Sequence, residues 1–304
     1  MDVFVNIIIA LFPLVALIAM GYIFKRTQFL SDEFWRGTEK INYLILFPVL
    51  LFNNLAYVKF EWLTLTQVLL ALVIIIIMSS LTLWLARAFF HIPVARFGVY
   101  VQSQIRFNTY IGLSIMSLLF GAQGMQMFAM MIALAIPLVN VISVLAFSQG
   151  QGLKPGQILF SVIKNPLILG CVVGIIFNLL QLSLFSGLEQ LLKFLASMSL
   201  PLGLISVGAA LQFAQLKHDY MRLLLNTLGR LMVVPCLAYL ICSMLNLNDF
   251  ETIILVVFCS LPTASAAYIL TRYFNGDSQL MAGVISLQTL CFAFTFPVLM
   301  ILLN

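Results

Sequence analysis

Apolar residues run along the chain in ten blocks, each about as long as the 20 or so residues a helix needs to cross a bilayer. The blocks cover residues 3–24, 34–57, 63–86, 97–120, 123–147, 157–181, 188–213, 221–245, 252–274 and 279–303. Short clusters of charged and turn-forming residues separate them, which predicts ten spans. Helices are expected, because a segment surrounded by lipid must satisfy its own backbone hydrogen bonds. The blocks are also about twice the length of a barrel strand.

Two blocks interrupt their own pattern. Span 4 carries Ser103, Gln104, Arg106, Asn108, Thr109 and Gly112 among its apolar residues, and span 9 carries CSLPTASAA at 259–267, centred on Pro262. Counted from Phe97, Arg106 lies about 14 Å deep; counted from Thr252 on the opposite face, Pro262 lies about 15 Å deep. Both interruptions therefore fall near the bilayer centre. Proline frees a carbonyl, and small polar residues let a second backbone approach.

The spans also repeat. Pro13, Gly21 and Pro48 recur as Pro166, Gly174 and Pro201, each 153 residues later, and GYIF at 21–24 recurs as GIIF at 174–177. The turn FGAQ at 120–123 corresponds to NGDS at 275–278. A unit of five spans is odd, so its second copy, from 151 to 304, enters the membrane from the side opposite to the first, 1–150. Inverted repeats of this kind place a transport site at the midplane, between interrupted helices.

Composition agrees with that picture and narrows it. Only 8% of the 304 residues are charged and the mean hydropathy is +1.12, values that exclude an ordinary soluble domain. Lys and Arg gather after the odd-numbered spans: Lys25, Arg26, Arg36, Lys40, Arg87, Arg96, Lys154, Lys164, Lys217, Arg222 and Arg272. Only Lys59 and Lys193 lie on the other side. The bias predicts an inner-membrane protein with cytoplasmic odd loops and both termini outside. Basic loops against an anionic leaflet account for the net charge of +5 without nucleic acid. A cleaved leader is not expected, with Asp2 ahead of the first block and Lys25 and Arg26 behind it, nor is a soluble flanking domain. The five cysteines lack any metal-ligand spacing and read as small buried residues. No cofactor is expected, and no nucleophile–base pair lies at one depth, so an enzyme is not expected either.

Arg106 and Arg230 remain, inside spans. An arginine at the centre of a membrane helix costs about 2.5–3.5 kcal/mol and should face protein or water. No acid lies in a span core, which leaves two readings of Arg106: it binds a substrate carboxylate, or it braces the carbonyls of a broken helix. Asn108, Thr109, Pro262, Thr263 and Ser265 are further candidate substrate contacts, with helix–helix glue as the alternative, and so is Asn140, with capping of a proline-kinked helix as its alternative. Arg230 reads as a cation snorkelling toward the cytoplasmic surface. His91 and His218 fall in loops, Asn53 and Asn54 read as cavity or capping groups, Pro48 and Pro201 as kinks, and the 26 Phe and three Trp as mostly lipid-facing.

IRFNTYIGLS at 105–114, AIPLVN at 135–140, KNPLILG at 164–170, SLPLGLISVGAAL at 199–211 and LPTASAAYIL at 261–270 resemble the auxin efflux carrier family over essentially the whole chain. GYIFKR at 21–26 and FPVLLF at 47–52 match as well. Two positions depart from the pattern: Ser114, where the family often has Pro, and Ala266, where it often has Asn. The resemblance implies an all-α fold similar to those of bile-acid symporters and sodium/proton antiporters. It implies a scaffold of spans 1, 2, 6 and 7, a transport domain of spans 3–5 and 8–10 with spans 4 and 9 crossed, elevator motion and a homodimer. Substrates would be small organic anions, mono- or dicarboxylates. The missing membrane acid favours uniport driven by membrane potential, with sodium held by backbone carbonyls as the other option. A sensor keeping the carrier fold without turnover is the alternative function.

Overall fold

The computed structural model describes residues 2–57, 62–147, 165–214 and 219–303, and among them it is helical with no strand. The first residues of span 6, the join of the two predicted repeats, Lys59, Lys154, Lys164, Lys217 and His218 lie outside the described residues.

The helices are α1 (Asp2–Arg26), α2 (Asp32–Ile41), α3 (Phe47–Ala56), α4 (Trp62–Phe90), α5 (Val94–Ile105), α6 (Thr109–Leu119) and α7 (Gly121–Phe147). There follow α8 (Pro166–Leu179), α9 (Ser186–Ala209), α10 (Tyr220–Leu228), α11 (Val234–Met244), α12 (Asp249–Ser260), α13 (Ala266–Tyr273) and α14 (Ser278–Leu303). Five stretches among the described residues are long and apolar enough to cross a membrane: Thr66–Phe90, Gly121–Phe147, Ser186–Ala209, Tyr220–Met244 and Ser278–Leu303. Phe12, Phe89, Phe90, Phe194 and Phe294 stand exposed, as the hydrocarbon layer of a multi-pass protein allows. Predicted spans 4 and 9 are each split into two short helices, as their interrupted patterns require.

Two wider turns punctuate the bundle. A π turn at Asn42–Leu46 joins α2 to α3, and another at Gly229–Val233 joins α10 to α11. Each stands just before a proline, Pro48 or Pro235. Proline has no N–H to give the carbonyl four residues back and its ring crowds that group, so the chain there widens to longer-range bonding. The kink expected at Pro48 is this turn.

Close approaches fix how the long helices pair. A Cβ on Gly21 of α1 would collide with the Ile205 carbonyl oxygen of α9, and one on Gly208 of α9 would collide with that of Ile18. On α8, Gly174 faces Phe52 and Gly170 faces Pro48 of α3. Gly21 and Gly174 are 153 residues apart, and so are their partners Phe52 and Ile205. The two predicted turns close in kind: Gly121 has φ +58° and Asn275 has φ +52°. An ionic cluster ties the starts of α5, α10 and α14, with Arg96 reaching Asp219 at 3.0 Å and Asp277 at 3.2 Å.

Several aromatic residues expected at lipid are core. Phe107, Phe128 and Phe258 pack with ring centroids 4.2 to 6.5 Å apart beside the break in span 4, and Trp35 is buried. Of the cysteines, Cys171, Cys242 and Cys259 are buried as expected, whereas Cys236 is exposed on an apolar helix face.

Candidate functional site

The two interrupted helices meet at their breaks. Between Ile105 and Thr109 the chain is extended, and the Asn108 N–H donates to the Pro262 carbonyl at 2.7 Å. Several of the groups freed at the breaks find partners across the crossing. Asn108 is buried, and its Oδ1 caps α6 by accepting from Ile111 N at 3.2 Å. Thr263 is fully buried: its hydroxyl donates to the Ser103 carbonyl at 2.8 Å and its N–H to Gln288 Oε1 at 2.9 Å. Around them runs a buried polar network. Asn226 Nδ2 donates to Ser103 Oγ at 2.7 Å, Gln288 Nε2 to Asn226 Oδ1 at 3.0 Å, and Gln104 Nε2 to the Asn226 carbonyl at 2.8 Å.

Arg230 belongs to this crossing and does not snorkel. It is 2% exposed. Its Nε donates to the Leu261 carbonyl at 2.8 Å and its Nη1 to the Gln104 carbonyl at 2.5 Å. Counting helical depth along the sequence misses that the turn before Pro235 redirects this side chain into the protein.

Beside the crossing lies a cavity of about 830 Å³, within the range that holds small-molecule ligands. Arg106, Asn140 and Ser265 of the predicted site line it, and so does Ala266, the position where the resemblance leads one to expect an amide. Arg106 Nη2 donates to Asn140 Oδ1 at 2.6 Å and Nε to Ser143 Oγ at 3.3 Å. Ser143 in turn donates to the Val139 carbonyl. Among the described residues, Nη1 of Arg106 has no acceptor and no carboxylate pairs with its charge. Ser265 stands before the first turn of α13 and makes no side-chain cap there; the Ala267 and Tyr268 N–H groups donate instead to the Ala264 and Ser265 carbonyls, each at 3.0 Å.

The structure thus divides the seven predicted residues. Arg106, Asn140 and Ser265 share the cavity; Asn108, Pro262 and Thr263 knit the crossing; Thr109 opens α6, half-buried. Sequence reasoning missed the tyrosines Tyr43, Tyr110, Tyr268 and Tyr273 that line the cavity. It also missed Glu39, exposed near the mouth with Arg36 and Lys40. The signal for Glu39 and Tyr43 was available in their helical spacing, one turn apart; Tyr110 lies past the break that follows Arg106, where helical spacing sets no register.

A family model described as a membrane transport protein matches residues 155–300. An uncharacterized transporter of Methanothermobacter thermautotrophicus is 24% identical over 287 residues, covering 92% of this chain and 93% of its own. An uncharacterized transporter of Methanocaldococcus jannaschii is 24% identical over 214 residues, covering 68% of this chain and 66% of its own. With apolar helices long enough to cross a bilayer and interrupted helices meeting beside a cavity, the chain resembles membrane transport proteins, by the family model over its second half and by these relatives over more of its length.

Proposed function

We propose that the protein is a secondary carrier for small organic anions, mono- or dicarboxylates, and that Arg106 receives the substrate carboxylate. One observation carries the reading: a guanidinium lines a large cavity with no carboxylate paired to it and one N–H side unused among the described residues. Asn140 holds the guanidinium, and Ser265 adds a hydroxyl.

The proposed architecture is ten spans in two inverted repeats. The equal 153-residue spacing of the Gly21–Ile205 and Gly174–Phe52 approaches supports it. The same approaches pair span 1 with span 7 and span 2 with span 6, which supports a scaffold of those four. Spans 3–5 and 8–10 would move against it as the transport domain. The cavity draws its lining from both groups, with α2 and α9 on one side and α6, α7, α13 and α14 on the other. That is the seam an elevator motion would slide along. By the positive-inside bias the mouth near Arg36 and Lys40 faces the cytoplasm of an inner membrane, and a homodimer would join through the scaffold.

The test is charge movement on a solid-supported membrane, with proteoliposomes and a panel of carboxylates, for wild type and Arg106→Ala. Current for some acids that disappears in the variant supports the proposal. Current that survives makes Arg106 a brace, and silence for every acid from folded wild-type protein refutes the anion reading.

A further inference from the structure

Interrupted helices that meet at a midplane turn their carbonyl ends toward one another, and in carriers such ends are where a coupling cation is held. Here two of them converge. α5 ends at Ile105 and α12 at Ser260, so the Gln104 and Leu261 carbonyls have no helical partner of their own and carry the negative ends of both helix dipoles. Donors are needed between them, and a cation answers both the carbonyls and the dipoles. The chain supplies one: Arg230 spans the gap, Nε on Leu261 O and Nη1 on Gln104 O.

We propose that Arg230 is a tethered cation occupying the place of a coupling ion, so that the carrier assembles its helix crossing and works without sodium. Three features support a fixed charge. The side chain is 2% exposed, which prevents exchange with solvent. Among the described residues no carboxylate pairs with Arg230, so its charge answers the two carbonyl ends. Its position is set by the π turn at Gly229–Val233, and a Cβ at Gly229 would lie 3.2 Å from Gln104 Oε1, so that helix can come this near α5 because residue 229 has no side chain. The guanidinium also keeps Nη2 buried without a partner, and Thr227, one turn earlier, keeps a buried hydroxyl without one. Removing Arg230 would therefore leave the Leu261 and Gln104 carbonyl oxygens unpaired at the two helix ends, the kind of ligand that holds a coupling cation in carriers.

The inference rests on the carrier reading only for its transport arm; its stability arm needs no turnover. The experiment is thermal unfolding of the purified full chain in sodium chloride and in choline chloride at equal ionic strength. Wild type should melt at the same temperature in both. Arg230→Met should melt lower and recover several degrees as sodium rises, with no recovery in choline. Sodium-dependent stabilisation of wild type overturns the proposal, and so does a folded Arg230→Met indifferent to sodium. If the Met variant does not fold, Arg230→Lys keeps a cation within reach and should remain indifferent; a sodium response there also overturns it. In the transport arm, substrate-evoked currents should be equal in the two salts, and currents that need sodium refute a sodium-free cycle. Absence of current in both salts refutes the carrier reading while the melting result still decides the role of Arg230.

Discussion

Asn140→Asp separates a substrate-binding Arg106 from a bracing one better than removal of the arginine does. Asn140 Oδ1 accepts from Arg106 Nη2 at 2.6 Å. The aspartate is isosteric and keeps that bond, now as a charge pair, so the fold should be retained. Its added charge sits on Nη2 of the guanidinium, beside the place a carboxylate on the unused Nη1 would take. Two like charges 4 Å apart repel by about 4 kcal/mol at an effective dielectric constant near 20. Discounting half of that for water in the cavity leaves about 2 kcal/mol, or roughly thirtyfold in substrate affinity. Asn140→Ala acts differently. It removes one hydrogen bond to a charged group, which costs about 1.5–3 kcal/mol of stability, while leaving the guanidinium free for substrate. Peak current against substrate concentration, read with the melting temperature of each variant, distinguishes them. The aspartate variant should melt near wild type and need about thirtyfold more substrate for half-maximal current. An unchanged half-maximal concentration would refute the assignment of Arg106 to substrate.

The packing sets four further outcomes. Gly21→Ala drives a methyl group into the Ile205 carbonyl and should cost at least about 1–3 kcal/mol in thermal stability, more than Gly174→Ala, whose nearest contacts are 3.1 Å away. Gly37, inside α2 with nothing within 4 Å of where a methyl group would stand, should gain up to about 1 kcal/mol as alanine in the same assay. Thr263→Val strands the Ser103 carbonyl and should destabilise by about 1–3 kcal/mol, whereas Thr263→Ser should restore most of the loss and carry wild-type current. Asn248→Ala removes the capping box of α12 and one partner of the buried Glu251 carboxylate, and should cost about 1 kcal/mol or more in chemical denaturation.

The helical class, the multiple apolar helices and the two interruptions were legible in the sequence because hydrocarbon imposes length and composition directly on the chain. The cavity position of Arg106 was legible for the same reason: an unpaired charge at that depth must face water or protein. What the pattern could not give was which polar groups at a break face the cavity and which face each other. Asn108 and Thr263 have the side chains of ligand contacts, yet their oxygens satisfy a helix end and a freed carbonyl. That choice depends on the backbone of the opposite helix, which a single stretch of sequence does not display. The tyrosines of the cavity were hidden in a different way, since an amphipathic ring serves equally well at a headgroup, in a core or at a site.

Arg230 shows where depth counting fails and how local chemistry would have corrected it. An arginine about 13 Å into a straight span can reach the surface by extending its side chain. Such reach presupposes a regular helix. Pro235 denies it: the ring and the missing N–H act on the carbonyl of Leu231, the turn before widens, and every side chain there rotates from its ideal position. Gly229 then lets this stretch come within contact distance of Gln104. A proline five residues after an intramembrane arginine, with a glycine immediately before it, is therefore itself a signal of an inward-turned cation. The two membrane arginines consequently have opposite environments and separable roles. Arg106 keeps an unused donor on a large cavity, where a mobile anion can reach it, while Arg230 commits two donors to fixed carbonyls where none can. Substituting one should alter the concentration dependence of current, and substituting the other the ionic requirement of the fold.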